Sequence, residues 1–233
     1  DEHRLMINVS RGPLAIYAPI FENKIEPTVV IADFPLKWTV SGMGQLFDTG
    51  INAVIPAQRA IPASLLDPKI KNRSRLHYQM ANIEVSGYEG ENNWALLVDP
   101  TGFIAEGTGD NFFIVENNVI ITPEGRNVLR GISRDYIFEI SQQVGLKCIE
   151  KNIDPYDVYN ADEAFMTGTP FCILPVTSLN DVRIGDGKIG VVVKSLLDQW
   201  SKNVGLDIVQ QIKSFNCETA NLQSGSPTPY QFK

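Results

Sequence analysis

Apolar residues along the chain occur in short runs separated by turn residues, and this pattern predicts a mixture of strands and helices. Two strands are expected early, over residues 6–12 and 28–32. The second run, Thr28-Val29-Val30-Ile31-Ala32, is apolar and β-branched, which is typical of a buried strand. Neither run has a predicted partner strand before it. Residues 1–43 are therefore expected to be the C-terminal part of a small domain whose beginning is missing.

The chain from residue 44 onward predicts one large domain with further strands and helices. Its strands are expected over residues 50–56, 94–98, 111–115, 119–122, 163–166 and 171–176. Its helices are expected over residues 69–84, from 131 to Gly145, and around 193–200 before Gly205 as the last helix. These elements do not alternate in a regular βαβ rhythm, so the predicted class is α+β. The large domain is expected to end at residue 215, and the polar residues 216–233 predict a mobile tail.

Composition and charge exclude several classes of function. The 233 residues include 20 basic and 27 acidic side chains, a net charge of -7, which argues against nucleic acid or an anionic membrane as a partner. No apolar stretch approaches the roughly 20 residues that span a bilayer, and the first residues do not form a signal peptide. Three scattered cysteines predict a reduced, cytoplasmic protein, and two histidines make a histidine-rich metal site implausible.

Four polar features could carry chemistry, although each has an ordinary structural interpretation as well. Lys71 could be catalytic or a solvated surface charge, and Glu106 could be functional or a turn residue at a strand end. Gly131-Ile132-Ser133 could bind a phosphate through free backbone N–H groups, or could simply be a serine cap. Thr167-Gly168-Thr169 could bind an anion or form a tight connection between strands.

The order of these features resembles the class IV aminotransferases, the pyridoxal-phosphate (PLP) enzymes of fold type IV. This group includes branched-chain and D-amino-acid aminotransferases and aminodeoxychorismate lyase. The resemblance extends from about Arg4 to Val204. It is carried by Phe103-Ile104-Ala105-Glu106-Gly107 with Asp110-Asn111-Phe112-Phe113, by Leu129-Arg130-Gly131-Ile132-Ser133-Arg134, by residues 161–169, and by Leu174-Pro175-Val176.

The resemblance implies a D-amino-acid aminotransferase-like fold: a large C-terminal PLP domain (44–215) and the remnant of a small N-terminal α/β domain (1–43). It also implies the cofactor pyridoxal 5'-phosphate, held by Lys71 as a Schiff base. Lys71 would then move the proton of the substrate adduct, and Lys69 fits the alignment less well. Glu106 matches the carboxylate that keeps the pyridine nitrogen protonated. The remaining implied cofactor contacts are Leu129 on one ring face and Ile132, Ser133 and Thr169 at the phosphate.

Substrate contacts are implied less directly. Arg4 matches a small-domain arginine that reaches substrate carboxylates in the branched-chain branch, and Thr169 and Pro170 match the substrate-binding turn. Pro170 has no N–H to offer the substrate carboxylate, unlike the small residue of branched-chain members. Leu76 stands where branched-chain enzymes carry a tyrosine, and nothing here matches the family's phosphate-binding arginine. The sequence therefore fits no named branch cleanly.

The function expected from the resemblance is amino transfer between an amino acid and a 2-oxo acid, by a branched-chain-like transaminase. A homodimer is implied because the family's active site lies near a subunit interface. One alternative is a PLP lyase resembling aminodeoxychorismate lyase, which would release pyruvate instead of passing an amino group to 2-oxoglutarate. Another is a truncated, non-catalytic homologue.

Overall fold

The computed structural model describes residues 2–219, and the side chains as far as Phe215. The chain divides into two compact units, one ending at Thr39 and one beginning at Val40. Within the described residues, no helix is both long and apolar enough to cross a membrane.

The first unit is a two-stranded antiparallel ribbon. Strands β1 (His3–Ser10) and β2 (Thr28–Pro35) pair with Ile7 opposite Ile31, and a 3-10 helix over Ala15–Phe21 lies between them in sequence. Both strands were predicted, but the prediction that the second is buried is wrong. Val29, Val30 and Ile31 are 58%, 51% and 66% exposed, because no second layer covers the ribbon among the described residues of this unit.

The second unit is built on a mixed sheet that closes on itself. Its strands are β3 (Ile51–Val54), β4 (Asn93–Val98), β5 (Ile104–Gly107), β6 (Asn111–Glu116), β7 (Val119–Thr122), β8 (Lys147–Glu150), β9 (Glu163–Gly168), β10 (Cys172–Leu179) and β11 (Val182–Arg183). They are ordered β11-β10-β3-β4-β5-β6-β7-β8, and β9 pairs with both β10 and β6, which closes a ring. Parallel and antiparallel pairs both occur, so the predicted α+β class is confirmed.

Besides the 3-10 helix, the described residues form seven helices. They are α1 (Lys37–Val40), α2 (Leu46–Thr49), α3 (Leu76–Ser86), α4 (Ile132–Gln143), α5 (Pro155–Tyr159), α6 (Val191–Val204) and α7 (Ile208–Thr219). Helix α3 packs on β4, α4 packs on β8 and α6, and α6 packs on β9 and β10. Helix α4 buries Ile137 and Ile140, whereas Ile132 at its start is 87% exposed.

Two helix predictions are wrong. The helix expected to start near residue 69 begins at Leu76, because turn residues precede it: the Ile70 amide donates to the Asp67 carbonyl, and the Asn72 side chain donates to the Ile70 carbonyl. Helix α6 is not the last helix, since α7 follows it. Helix α7 extends to Thr219, and the rest of the predicted tail lies outside the described residues.

The pairing of β5, β6 and β9 brings polar residues to one end of the closed sheet. Glu106 lies opposite Asn111, and Asn111 lies opposite Thr167 on the other side. Deeper in the sheet, Phe113 and Phe165 face each other with stacked rings 4.8 Å apart between centroids. The apolar interior fixes the register of the strands, and that register in turn fixes which polar residues meet at the end.

Candidate active site

A cavity of about 180 Å³ opens at this end of the sheet, and it collects most of the predicted site residues. Its lining includes Lys71, Glu106, Leu129, Ile132, Ser133 and Thr169. Pro170 follows Thr169 in the tight turn between β9 and β10, where the Phe171 amide donates to the Gly168 carbonyl. Arg4 lies in the first unit, where its guanidinium donates to the Thr39 hydroxyl.

Glu106 is buried at 6% exposure, and protein donors hold both of its carboxylate oxygens. Oε1 accepts from the Tyr78 hydroxyl at 2.6 Å. Oε2 accepts from the Leu129 amide at 2.9 Å and from Asn111 Nδ2 at 3.3 Å. Asn111 Nδ2 also donates to the Leu129 carbonyl at 2.8 Å. The carboxylate is thus fixed in one orientation at the cavity wall.

Two opposing effects act on the pKa of Glu106. Burial raises the pKa of Glu106 above its ordinary value, because it penalises the charged form. The hydrogen bonds from Tyr78 and Leu129 lower that pKa, and the positive charges of Arg75 and Lys71 act in the same direction. The hydrogen-bond donors and the two cations therefore favour the ionised form of the carboxylate, whereas burial favours the neutral form.

Lys71 lies on the exposed side of the cavity, in the turn segment before α3. The other lysine that the sequence offered, Lys69, forms an ion pair with Asp67 at 2.7 Å and does not line this cavity. The charge of Lys71 acts on Glu106, which places the two groups within electrostatic reach of each other. The structure therefore brings Lys71, rather than Lys69, together with the glutamate.

The first turn of α4 forms another wall of the cavity. Gly131 is the N-cap residue, and none of the described side chains caps the helix, so the amides of its first turn are available to a ligand. A Cβ atom at Gly131 would lie 2.4 Å from Asn111 Oδ1, so only glycine allows this approach. Together with the Ser133 hydroxyl, these amides and the helix dipole favour an anion.

Three buried polar atoms at the cavity are unpartnered among the described residues, and the first is Asn72 Oδ1. Thr167 Oγ1, on the strand that leads to Thr169, has no hydrogen-bond partner, and its residue is only 1% exposed. Asp110 Oδ1 is likewise unpartnered, and Asp110 is 8% exposed. Unpaired buried polar atoms are uncommon, and here all three belong to residues that line the cavity.

Asp110 makes a testable contribution to stability. Burial, together with the charge of Glu106, raises the pKa of Asp110 from 3.8 to about 8. Between these values the folded chain holds a proton that the unfolded chain has released, so the free energy of unfolding falls as the pH rises. We expect Asp110→Asn to lose this dependence. Its stability relative to the parent chain, measured by urea unfolding, should therefore increase from about pH 4 to about pH 8.

The matched control for this prediction is Asp198→Asn, at an exposed aspartate of α6. This variant should keep the pH dependence of the parent chain. Parallel stability curves for Asp110→Asn and the parent chain would show that Asp110 does not carry the proton.

Several residues of the site have no role in the sequence-based prediction. Tyr78 and Arg75 were missed, and Asp110 and Asn111 were noted only as part of a similar block of sequence. Asn111 had a usable signal, because the short connection between two strands (residues 108–110) places it directly across from Glu106. Tyr78 had none, since it reaches Glu106 from a helix 28 residues away in sequence.

The closed sheet brings Lys71, Glu106 and the first turn of α4 to one cavity. This arrangement is that of the fold type IV class. The chain belongs to the family described as amino-transferase class IV, whose model matches residues 1–179. The predicted family is therefore confirmed.

Curated relatives carry branched-chain aminotransferase names. The chain is 32% identical over 170 residues to the branched-chain-amino-acid aminotransferase of Salmonella typhimurium, covering 72% of this chain and 54% of that protein. It is 42% identical over 102 residues to the enzyme of that name from Pseudomonas aeruginosa, covering 44% of this chain and 33% of that protein. The chain thus spans about half the length, or less, of these relatives.

Solved structures agree with the fold. The branched-chain amino acid aminotransferase of Thermobaculum terrenum in its PLP form superposes with a TM-score of 0.73 at 25% identity, covering 92% of this chain and 67% of that one. The branched-chain amino acid aminotransferase of Escherichia coli gives a TM-score of 0.70 at 27% identity, covering 88% of this chain and 64% of that one. The predicted fold type IV class is confirmed.

Proposed function

We propose that this chain binds pyridoxal 5'-phosphate and serves an aminotransferase that moves an amino group between an amino acid and a 2-oxo acid. One observation carries the proposal: Lys71, the buried Glu106 and the uncapped first turn of α4 line the same cavity. Each of these groups alone has an ordinary structural explanation. Their convergence in a member of the class IV family favours the cofactor.

The residues present fit the cofactor at each of its polar ends. The Glu106 carboxylate would face the pyridine nitrogen, and Leu129 would contact one face of the ring. The α4 amides at Ile132 and Ser133, the Ser133 hydroxyl and the Thr169 hydroxyl would hold the phosphate. The unpartnered Thr167 Oγ1 and Asp110 Oδ1 are consistent with a wall built to contact a polar ligand. When bound, PLP supplies an aldehyde that condenses with amines and a ring that accepts electrons.

The chain's own residues would then perform two tasks in the reaction. Lys71 Nζ would hold the cofactor and, once released by the substrate, would carry a proton as the general base and acid. Glu106 would remain an anion beside the pyridine nitrogen and keep a proton there. Its fixed hydrogen bonds mean that no reorganisation of the carboxylate accompanies the reaction, which is the main advantage of a preorganised charge.

Substrate binding rests on the resemblance more than on the geometry. Relatives are named for branched-chain amino acids, but Pro170 cannot offer a backbone N–H to the substrate carboxylate. We propose that another donor compensates, with Arg4 the candidate by resemblance. The resulting preference would differ from leucine, isoleucine and valine alone. A homodimer is also part of the proposal, on the same ground, and so is a cytoplasmic location, which the three scattered cysteines favour.

The cofactor assignment has a direct test. Full-length protein incubated with PLP and reduced with borohydride should carry the pyridoxyl group on Lys71, as located by peptide mapping. Lys69→Ala should label normally, and Lys71→Ala should not. A label on Lys69, or on no lysine at all, would contradict the assignment.

The reaction is tested in the same preparation with a panel of amino donors. Amino transfer to 2-oxoglutarate supports the proposal and reports donor preference. Pyruvate release without amino transfer would indicate the lyase instead. PLP binding at Lys71 without either product would favour a non-catalytic homologue.

A further inference from the structure

Tyr78 is the nearest hydroxyl donor to the glutamate of the proposed cofactor site. It lies in the first turn of α3, and its hydroxyl donates to Glu106 Oε1 at 2.6 Å, the shortest of the three hydrogen bonds to that carboxylate. Tyr78 is half-buried, and burial together with the charge of Glu106 raises its pKa above the ordinary value. The phenol therefore stays protonated and acts as a permanent donor.

Arg75 fixes Tyr78 in this position. The two residues lie three apart at the start of α3, and the Arg75 guanidinium lies 4.7 Å from the centroid of the Tyr78 ring. The same guanidinium donates to the Thr108 carbonyl, two residues beyond Glu106. It thereby ties the helix to the turn between β5 and β6. A cation over the ring face adds attraction and orients the phenol toward the carboxylate.

The other groups that face Glu106 cannot replace this donor. Asp110 is a second carboxyl group, and its ionisation would disfavour the charge on Glu106. The His77 ring lies tilted against the Tyr78 ring with centroids 4.0 Å apart, and burial, assisted by Arg75, lowers the pKa of His77. A neutral imidazole brings no positive charge to the site. Lys71 is positive, but it is the group proposed to hold the cofactor.

We propose that Tyr78 is a positioning residue, which Arg75 holds in place, and that its hydroxyl keeps Glu106 ionised and oriented toward the cavity. This proposal rests on the proposed function for its catalytic consequence. Lys71 and the two residues that act on Glu106, Arg75 and Tyr78, lie on one stretch of chain, four and seven residues apart in sequence.

The test is Tyr78→Phe, with Tyr136→Phe as the matched control. The control removes a hydroxyl that accepts from Asn203 on the far side of α4, outside the cavity. The first readout is the ionisation of Glu106, followed by carbon-13 NMR on full-length protein carrying labelled glutamate and assigned with Glu106→Gln. The titration of Glu106 should move to higher pH in Tyr78→Phe and stay unchanged in Tyr136→Phe, because the lost hydrogen bond had favoured the charged form.

The second readout uses the PLP-loaded protein. Near neutral pH, kcat of Tyr78→Phe should fall roughly 10- to 100-fold, with a smaller change in KM for the amino donor. The loss should shrink as the pH is raised, since Glu106 then ionises without the phenol. A purely structural role would instead lower activity equally at every pH.

The possible outcomes separate this proposal from the one it rests on. An unmoved Glu106 titration in Tyr78→Phe would overturn the positioning role, whether or not the protein binds PLP. A moved titration with no PLP binding in the parent chain would support the role of Tyr78 and reject the cofactor. If Tyr78→Phe does not fold, Arg75→Lys provides the second variant. It keeps a positive charge near Glu106 but loses the planar guanidinium that lies over the Tyr78 ring and donates to the Thr108 carbonyl, so a titration of Glu106 moved to higher pH would still report the positioning of Tyr78.

Discussion

Replacing Glu106 by glutamine is expected to lower kcat by roughly 100- to 1000-fold while the protein still folds and binds PLP. Glutamine keeps the shape of the side chain and an acceptor for the Tyr78 hydroxyl, but it carries no charge to hold a proton on the pyridine nitrogen. Preorganised electrostatic partners of this kind contribute about 2.7–4 kcal/mol to transition-state stabilisation. The loss should therefore fall on the proton-transfer step and not on cofactor affinity.

Single-turnover kinetics in each half-reaction would measure this effect directly. The matched control is Glu84→Gln on α3, whose carboxylate accepts from the Ala57 amide and does not line the cavity. That variant should turn over normally. Parent-like turnover in Glu106→Gln would show that another group protonates the ring, and Asp110 would then be the first residue to examine.

Features that a short stretch of chain determines could be predicted from the sequence. The helix expected from residue 131 to Gly145 is observed as α4, and the strands expected over residues 94–98 and 111–115 are observed as β4 and β6. Six site residues could be matched to a family pattern because the pattern itself is local. Their meeting in one cavity could not be derived from periodicity, and it was predicted only through the resemblance.

Features that depend on contacts between distant segments could not be predicted. The start of α3 was placed too early, because apolar spacing alone cannot distinguish a helix from the turn that hydrogen bonds at Asp67 and Asn72 impose. The donors to Glu106 come from segments on both sides of it in sequence. The short strand β8 and the short helix α5 were missed, since four or five residues give too little pattern to detect.

The clearest example of such a distant contact is the N terminus of α6. Its N-cap residue is Gly190, which has no side chain to accept the free amides. Glu163, on β9, supplies the acceptors instead: Oε1 accepts from the Val192 amide at 2.9 Å and Oε2 from the Val193 amide at 2.8 Å. A Cβ atom at Gly190 would lie 1.9 Å from the Glu163 carboxyl carbon, so the glycine and the glutamate require each other.

We expect Glu163→Ala to reduce the free energy of unfolding by about 2–4 kcal/mol, as measured by urea denaturation. The change leaves two buried amides unpaired at the positive end of a helix dipole, and hydrogen bonds to charged groups exceed ordinary ones in strength. Glu163→Gln is the matched control, because its amide oxygen can accept one of the two bonds and should recover part of the loss. A change below about 0.5 kcal/mol in Glu163→Ala would mean that water satisfies these amides equally well.

The cap of α6 also allows the stability of the fold to be tested separately from ligand binding at the cavity. Helix α6 packs on β9 and β10, the two strands whose connection carries Thr169, but Glu163 itself does not line the cavity. A ligand that binds only the folded chain stabilises it by an amount set by its concentration and its dissociation constant. Saturating PLP should therefore add the same increment of stability to the parent chain and to Glu163→Gln. A smaller increment in the variant would show that the α6 cap also holds the Thr169 turn in its binding geometry.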